Sequence, residues 1–383
     1  MDIFPFQIPT RLTIGPGAVS SLGEQVAAVA RRALIVTDPG LVRAGVVEKV
    51  QASLSAAGVN YAVFDQVEEN PSDSTCEKAA ELCRAEGCQA VVGVGGGSSM
   101  DTAKVVAALM GNPGKRPQDF EGREQVERDG LPTFMVPTTA GTGSEVTFIA
   151  VITDTRRTFK MTLYSRRLAP TAAVLDPLLT LSKPPGLTAA TGMDALTHAI
   201  ESYTNRSYNP ISDALSVRAI EMIGRHLRTA VVQGSDVEAR HEMLLASLMA
   251  GMAFNFTRLG LVHAMSHPLG AHFGIAHGVA NAVLLPAIME FNLFGCIERT
   301  AHIARLLGED TAGLSPVAAA RRGVEAVRAL ARDVGIPERL GPLGVTADRI
   351  PAMAEDAMKS GNIPVNPRQV TANDVARLFE SLL

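Results

Sequence analysis

The chain changes rhythm at Pro184-Pro185-Gly186. Before that point short, branched, apolar runs alternate with segments of helical spacing. Ala33-Leu34-Ile35-Val36-Thr37, Tyr61-Ala62-Val63-Phe64, Ala90-Val91-Val92-Gly93-Val94, Phe134-Met135-Val136-Pro137 and Ala173-Val174-Leu175 each read as strands of the kind buried in parallel sheets. Repeated β and α segments predict a doubly wound sheet. Beyond the Pro-Pro-Gly stretch strand signals nearly vanish, and helical spacing with Gly or Pro breaks recurs at about 187–203, 210–233, 237–255, 260–273, 288–307, 317–334 and 348–360. With 383 residues and 46% hydrophobic content the chain can bury two cores. The expected division is an α/β domain over 1–183 and an all-helical domain over 184–383.

In open parallel sheets ligands gather at the C-terminal ends of strands, which directs attention to the residues following each run. Asp38, after the first strong strand, is placed to accept hydrogen bonds from a ribose and to repel a 2′-phosphate; it equally fits a helix cap. Gly95, Gly96, Gly97 and Ser98 follow the strand 90–94 and open a helix expected at about Thr102. Glycines there let backbone N–H groups approach a pyrophosphate at a helix N-terminus, although a simple capped turn uses the same residues. Asp101 stands in what is expected to be the first helical turn, where a carboxylate also suits the helix dipole. Thr138, Thr139, Thr142 and Ser144 lie among glycines after Pro137, and such small hydroxyl residues can satisfy phosphate, ribose and amide groups. The intervening 111–130 reads as a surface excursion, and 146–152 with 160–164 as a β excursion.

The helical half carries a second kind of chemistry. Asp194 and His198 stand four residues apart on one helix face, as do His263 and His267, and His277-Gly278 follows. Two helical pairs can converge on one ion. One carboxylate with imidazoles suits Fe(II) or Zn(II), whereas Ca(II) and Mg(II) want oxygen-rich sites. His226 and His272 fit no such pattern.

Asp194-x3-His198, His263-x3-His267 and His277-Gly278, with Gly95-Gly96-Gly97-Ser98-x-x-Asp101 and Thr138-Thr139-x-Gly141-Thr142-Gly143-Ser144-Glu145, resemble the motifs of the iron-containing alcohol dehydrogenases. The resemblance runs nearly end to end. It implies Asp194, His198, His263 and His277 as ligands of Fe(2+), or Zn(2+), and His267 as a nearby non-ligand that relays a proton or orients substrate. It implies NAD as cofactor, held by Asp38, Asn70, Gly95, Gly96, Gly97, Ser98, Asp101, Thr138, Thr139, Thr142, Ser144, Lys160 and Leu179. Ala276 departs from the proline that many members place before the last ligand. The implied reaction interconverts a primary alcohol or short diol and its aldehyde, with the metal as Lewis acid and NAD as hydride acceptor. Phe148, Phe254 and Leu259 are candidates for an apolar substrate pocket, or for core.

Two rivals remain at this point: a dehydroquinate synthase-like lyase or glycerol-dehydrogenase-like enzyme of the same superfamily, and a non-catalytic metal and nucleotide binder. A net charge of −4 and no Lys/Arg run longer than two or three residues leave no footprint for nucleic acid. Met1-Asp2-Ile3-Phe4-Pro5-Phe6 lacks the basic segment and apolar stretch of a secretory signal, and the apolar run 279–289, holding Asn281 and Pro286, is too short to cross a bilayer. Cys76, Cys83, Cys88 and Cys296 form no C-x-x-C pair. A reduced, cytoplasmic homodimer or larger homo-oligomer, with no membrane or nucleic-acid partner, is expected.

Overall fold

The computed structural model describes residues 4–157 and 159–383. They fall into two compact units, one formed by Gln7–Thr139 with Gly143–Ser182, the other by Lys183–Leu383 with Ala140–Thr142 and residues 4–6.

The first unit is α/β. Its strands are β1 (Arg11–Ile14), β2 (Arg32–Val36), β3 (Asn60–Phe64), β4 (Ala90–Gly95), β5 (Gly122–Arg123), β6 (Thr133–Pro137), β7 (Ile149–Asp154), β8 (Phe159–Tyr164) and β9 (Ala172–Leu175). Six of them form one parallel sheet in the order β1-β9-β6-β4-β2-β3, in register Val36↔Gly93 and Gly95↔Pro137. The crossovers are helices α1 (Leu22–Ala27), α2 (Pro39–Arg43), α3 (Val46–Ala56), α4 (Asp73–Ala85) and α5 (Gly97–Gly111). Strands β4 and β6 are buried along their whole length, which is why they read as continuous apolar runs rather than alternating ones. Leu34, Ile35, Val92, Val94, Phe134 and Val174 are among the fully buried side chains that fill this unit.

The stretch 111–130 is no plain excursion, since it supplies β5 to a small sheet ordered β5-β8-β7. Helix α5 begins at Gly97, five residues before Thr102, because Gly96 takes an extended N-cap conformation and its carbonyl already accepts from the Met100 N–H. The glycine-serine stretch is therefore the first helical turn, and Asp101 lies beyond it.

The second unit is helical: α6 (Pro185–Thr204), α7 (Pro210–Val232), α8 (Val237–Thr257), α9 (Leu261–Phe273), α10 (His277–Asn292), α11 (Ile297–Leu306), α12 (Pro316–Asp333), α13 (Ile350–Met358) and α14 (Ala372–Ser381). Proline at the first position of α6, α7 and α12 removes an N–H that would have no partner there. The expected segment 288–307 is two helices. It breaks at Gly295, where a Cβ would stand 2.8 Å from the Pro367 carbonyl oxygen. The preceding apolar run is longer than expected: His277–Gly295 has the length and composition of a membrane span. Most of it is buried inside this unit, against α6, α9 and α12, as a core helix. The C-terminal α14 was not expected; its Thr371-x-x-Asp374 capping box marks its start.

Candidate metal centre and nucleotide loops

Helix α6 presents Asp194, His198 and Glu201 at i, i+4 and i+7, on one buried face. His263 stands in the first turn of α9, just after Gly260. That helix ends at Gly274 in the left-handed conformation (φ 67°), and the chain then starts α10 at His277. The start of α10 lies directly on the α6 backbone: a Cβ at Gly278 would be 2.5 Å from the Ala190 carbonyl oxygen. Glycine is required there by space, and the close approach brings His277 to Asp194.

The result is a cluster in which one donor atom each from Asp194, His198, His263 and His277 lies within 4.8 Å of all the others. Asp194 Oδ1 is 3.9, 4.0 and 3.8 Å from Nε2 of His198, His263 and His277. The two most buried imidazoles are fixed through their other nitrogen. His198 Nδ1 lies 3.1 Å from the Gly141 carbonyl oxygen, and His263 Nδ1 lies 2.6 Å from Glu201 Oε2. An Nδ1–H donating to each of these oxygens leaves Nε2 as a lone pair facing Asp194. Phe254 covers His198, ring centroids 4.7 Å apart.

Burial decides the protonation states. It pushes His263 well below the ordinary imidazole range, helped by His198 and His267, and so keeps its lone pair free. It raises the Asp194 carboxyl, against the pull of His198 and the Asn281 hydrogen bond. Glu201 is pushed up to about 7 by burial, opposed by N–H bonds that include one from Val262. A concentration of buried acceptors with this geometry fits a divalent cation. Bonds of about 2.1 Å in a tetrahedral set separate donor atoms by about 3.4 Å, so the Asp194–imidazole distances need about half an ångström of closure. The donor set, imidazole nitrogens with one carboxylate, is that of Fe(II) or Zn(II).

His267 lies one turn beyond His263 and outside the four-donor set, its ring centroid 5.6 Å from that of His277. Glu201 and Asn281 belong to this centre and were not anticipated, although helical spacing points to both: Glu201 is three residues after His198 and Asn281 four after His277. His272 bonds Asp356 and His226 stands near Glu242, apart from the cluster.

In the α/β unit, Gly95 (φ 148°) ends β4 where a Cβ would meet Ser99 Oγ at 2.6 Å. Gly96 faces Thr139, and Thr138 N–H bonds the Gly95 carbonyl, so these loops adjoin at the C-terminal edge of the sheet. Gly97 and Ser98 form the start of α5, with Ser98 Oγ bonded to the Glu69 carbonyl. Asn70 Oδ1 accepts from Lys160 Nζ at 2.8 Å, which pairs two predicted residues. Asp38 caps α2, accepting from Gly40 and Leu41; both bonds fall on Oδ1 and leave Oδ2 for another donor. Asp101 and Ser144 are bonded to each other at 2.6 Å within a buried network. Leu179 is core, Phe148 is buried against Tyr164, and Leu259 is buried. Thr142 lies with the helical unit.

Family profiles match both halves: "Iron-containing alcohol dehydrogenase" over residues 9–177 and "Fe-containing alcohol dehydrogenase family, C-terminal" over 188–383. The chain is 44% identical over 380 residues to a 1,3-propanediol dehydrogenase of Citrobacter freundii, covering 98% of each. It is 41% identical over 379 residues to an NAD-dependent methanol dehydrogenase of Bacillus methanolicus, covering 99% of each. A crystal structure of 1,3-propanediol oxidoreductase superposes with a TM-score of 0.97 at 43% identity, each chain covered in full. Two profiles that together span the chain, and relatives alike over its whole length, place it in the iron-containing alcohol dehydrogenase family, whose members interconvert alcohols and aldehydes.

Proposed function

We propose that this chain is an NAD-linked, metal-dependent dehydrogenase of short primary alcohols or diols, with Asp194, His198, His263 and His277 as the metal ligands. The convergence of those four donors, two of them tautomer-fixed through Gly141 and Glu201, is the observation that carries this reading. When bound, the ion supplies Lewis-acid polarisation of the alcohol or carbonyl oxygen, and NAD supplies the hydride acceptor.

The chain's own residues do the rest. His198 and His263 offer Nε2 because their Nδ1–H groups are held elsewhere. Asp194 contributes the negative charge that a divalent ion needs. His267, beside His277, moves the alcohol proton or orients the substrate. Backbone N–H groups of 96–98 at the start of α5 receive the pyrophosphate, and Thr138 and Thr139 adjoin them. Asp38 Oδ2 accepts from ribose hydroxyls and repels a 2′-phosphate, which favours NAD over NADP. Asn70 and Lys160 act as a bonded pair beside the nucleotide. Names of relatives, methanol and 1,3-propanediol dehydrogenases, support small substrates. The same reading includes a cytoplasmic homo-oligomer; four free cysteines, three of them buried, support a reducing compartment.

The test is to purify the protein without oxygen, strip its metal and follow NADH formation with two- to four-carbon alcohols and diols, before and after Fe(II) or Zn(II) is restored. Activity that returns with one ion and is weaker with NADP is expected. Nucleotide binding without metal-dependent NADH formation from any substrate overturns the assignment.

A further inference from the structure

Asn281 is fully buried on α10, one turn past His277, with its carboxamide turned into the ligand set. Its Nδ2 lies 2.6 Å from Asp194 Oδ1 and 3.1 Å from Nε2 of both His263 and His277. Its Oδ1 is buried and has no hydrogen-bond partner among the described residues. The orientation is chemically dictated. His263 commits its Nδ1–H to Glu201 and therefore shows a lone pair at Nε2, and Asp194 shows carboxylate lone pairs, so the amide must face them with its N end. Leaving a buried carbonyl oxygen unsatisfied is the cost of that choice. Two N–H bonds thus serve three acceptors, and those acceptors are three of the four metal ligands.

We propose that Asn281 is the keeper of the metal site: its amide holds Asp194, His263 and His277 together and competes with the ion for the same lone pairs, so that it sets how tightly the ion is held. This rests on the metal-centre reading above. An ion bonded to the two imidazoles takes from the amide at least two of its three contacts. Truncating Asn281 then weakens the ion-free protein more than the ion-bound one, because only in the former are three acceptors, buried at Asp194 and His263 and partly exposed at His277, left facing one another. By linkage, a change that destabilises the ion-free form selectively raises affinity for the ion.

The experiment uses the full-length chain with cobalt(II) as probe, titrated against a chelator and read by its ligand-field absorption. Thermal unfolding is followed in parallel on the stripped and cobalt-loaded forms. Asn281→Ala is expected to bind cobalt about tenfold more tightly, with Tm falling more in the stripped than in the loaded form. Asn281→Asp, which keeps the shape but replaces the amide N by an acceptor, is expected to shift both in the same direction. Equal or weaker cobalt binding in both variants, with Tm losses matched between the two forms, overturns the proposal and leaves Asn281 as ordinary packing. Failure of the unaltered protein to bind cobalt overturns the metal-centre reading and this proposal with it, an outcome distinct from the previous one.

Discussion

Each unit buries a polar cluster, and the two solve the same electrostatic problem differently. In the α/β unit Lys104 is fully buried, and its Nζ donates to Ser144 Oγ (2.8 Å), Thr147 Oγ1 (3.1 Å) and the Ile149 carbonyl (2.8 Å), with Asp101 Oδ1 at 3.8 Å. Asp101 in turn accepts from Ser144 Oγ and from the Val151 N–H at 2.9 Å. That cluster contains its own cation. In the helical unit Asp194, Glu201 and the Nε2 atoms of three histidines gather as acceptors, and the ion pairs of Asp194 are with the imidazoles alone among the described residues. Burying a carboxylate is costly unless a positive partner accompanies it. One cluster takes that partner from the chain, and the other is shaped to take it from solution.

The largest expected effect is the loss of one ligand from the helical unit. His263→Ala is expected to reduce bound metal to background in elemental analysis and to abolish NADH formation. Loss of activity with full metal content would show that the donors are catalytic without being ligands. In the other cluster Lys104→Met should lower stability by about 3–5 kcal/mol, the range for removing one partner of a buried ionic pair, without touching metal content.

The buried groups of the α/β unit also make its stability depend on pH. Burial raises Glu145 from 4.5 to about 7 and lowers Lys104 from 10.5 to about 8, with Asp101 and Glu145 opposing the latter shift. Between 4.5 and 7 the folded chain holds a proton at Glu145 that the unfolded chain has released, so stability falls as pH rises. Between 8 and 10.5 the unfolded chain holds the extra proton, at Lys104, so stability rises. The Tm profile is expected to pass through a shallow minimum between these limbs. Glu201, also raised to about 7, and the buried Lys183, also lowered, shift in the same senses, so Glu145→Gln should make the falling limb shallower and Lys104→Met the rising one; a profile that neither variant alters would show that these groups do not titrate as described.

Smaller effects follow outward. Glu201→Ala frees the His263 ring and should weaken metal binding about 10–100-fold, with Glu201→Gln milder because an amide oxygen still accepts the Nδ1–H. Chelator competition measures it, and an unchanged affinity would remove Glu201 from the centre. Asp38→Ala should cost about 1 kcal/mol through the lost α2 cap and narrow the preference for NAD over NADP. Paired KM values for the two nucleotides check the second part; a ratio that stays put would reduce Asp38 to a cap.

What could be read beforehand follows physical range. Asp194 and His198, four apart on α6, were legible because helical geometry fixes neighbours at that spacing, and so were the buried strands around Val92 and Met135. Helical spacing also reaches Glu201, three residues after His198, and Asn281, four after His277, and their polar side chains on apolar helices are the signal. Gly141 was invisible in this role because the group used is a backbone carbonyl, which every residue has. The Asp101–Ser144 bond spans 43 residues, and the choice between facing a nucleotide and facing Lys104 depends on tertiary packing rather than on local pattern. Helix α10 was hidden by its own composition: Pro286 and a uniformly apolar surface erase the stripe by which a half-exposed helix is recognised.

The short stretch Ala140–Thr142 belongs to the helical unit although it is written in the first half of the sequence. Ala140 packs in the helical core, a Cβ on Gly141 would strike Thr191 at 2.8 Å, and the Gly141 carbonyl selects the tautomer of His198. The two halves are therefore not interchangeable cassettes, even though separate profiles describe them. A gene fragment beginning after the Pro-Pro-Gly stretch encodes all four ligands yet omits the oxygen that aims one of them, and chimaeras joined at that stretch inherit this loop from the other parent. Recombination among relatives is constrained accordingly: three residues must travel with a half of the gene that does not contain them.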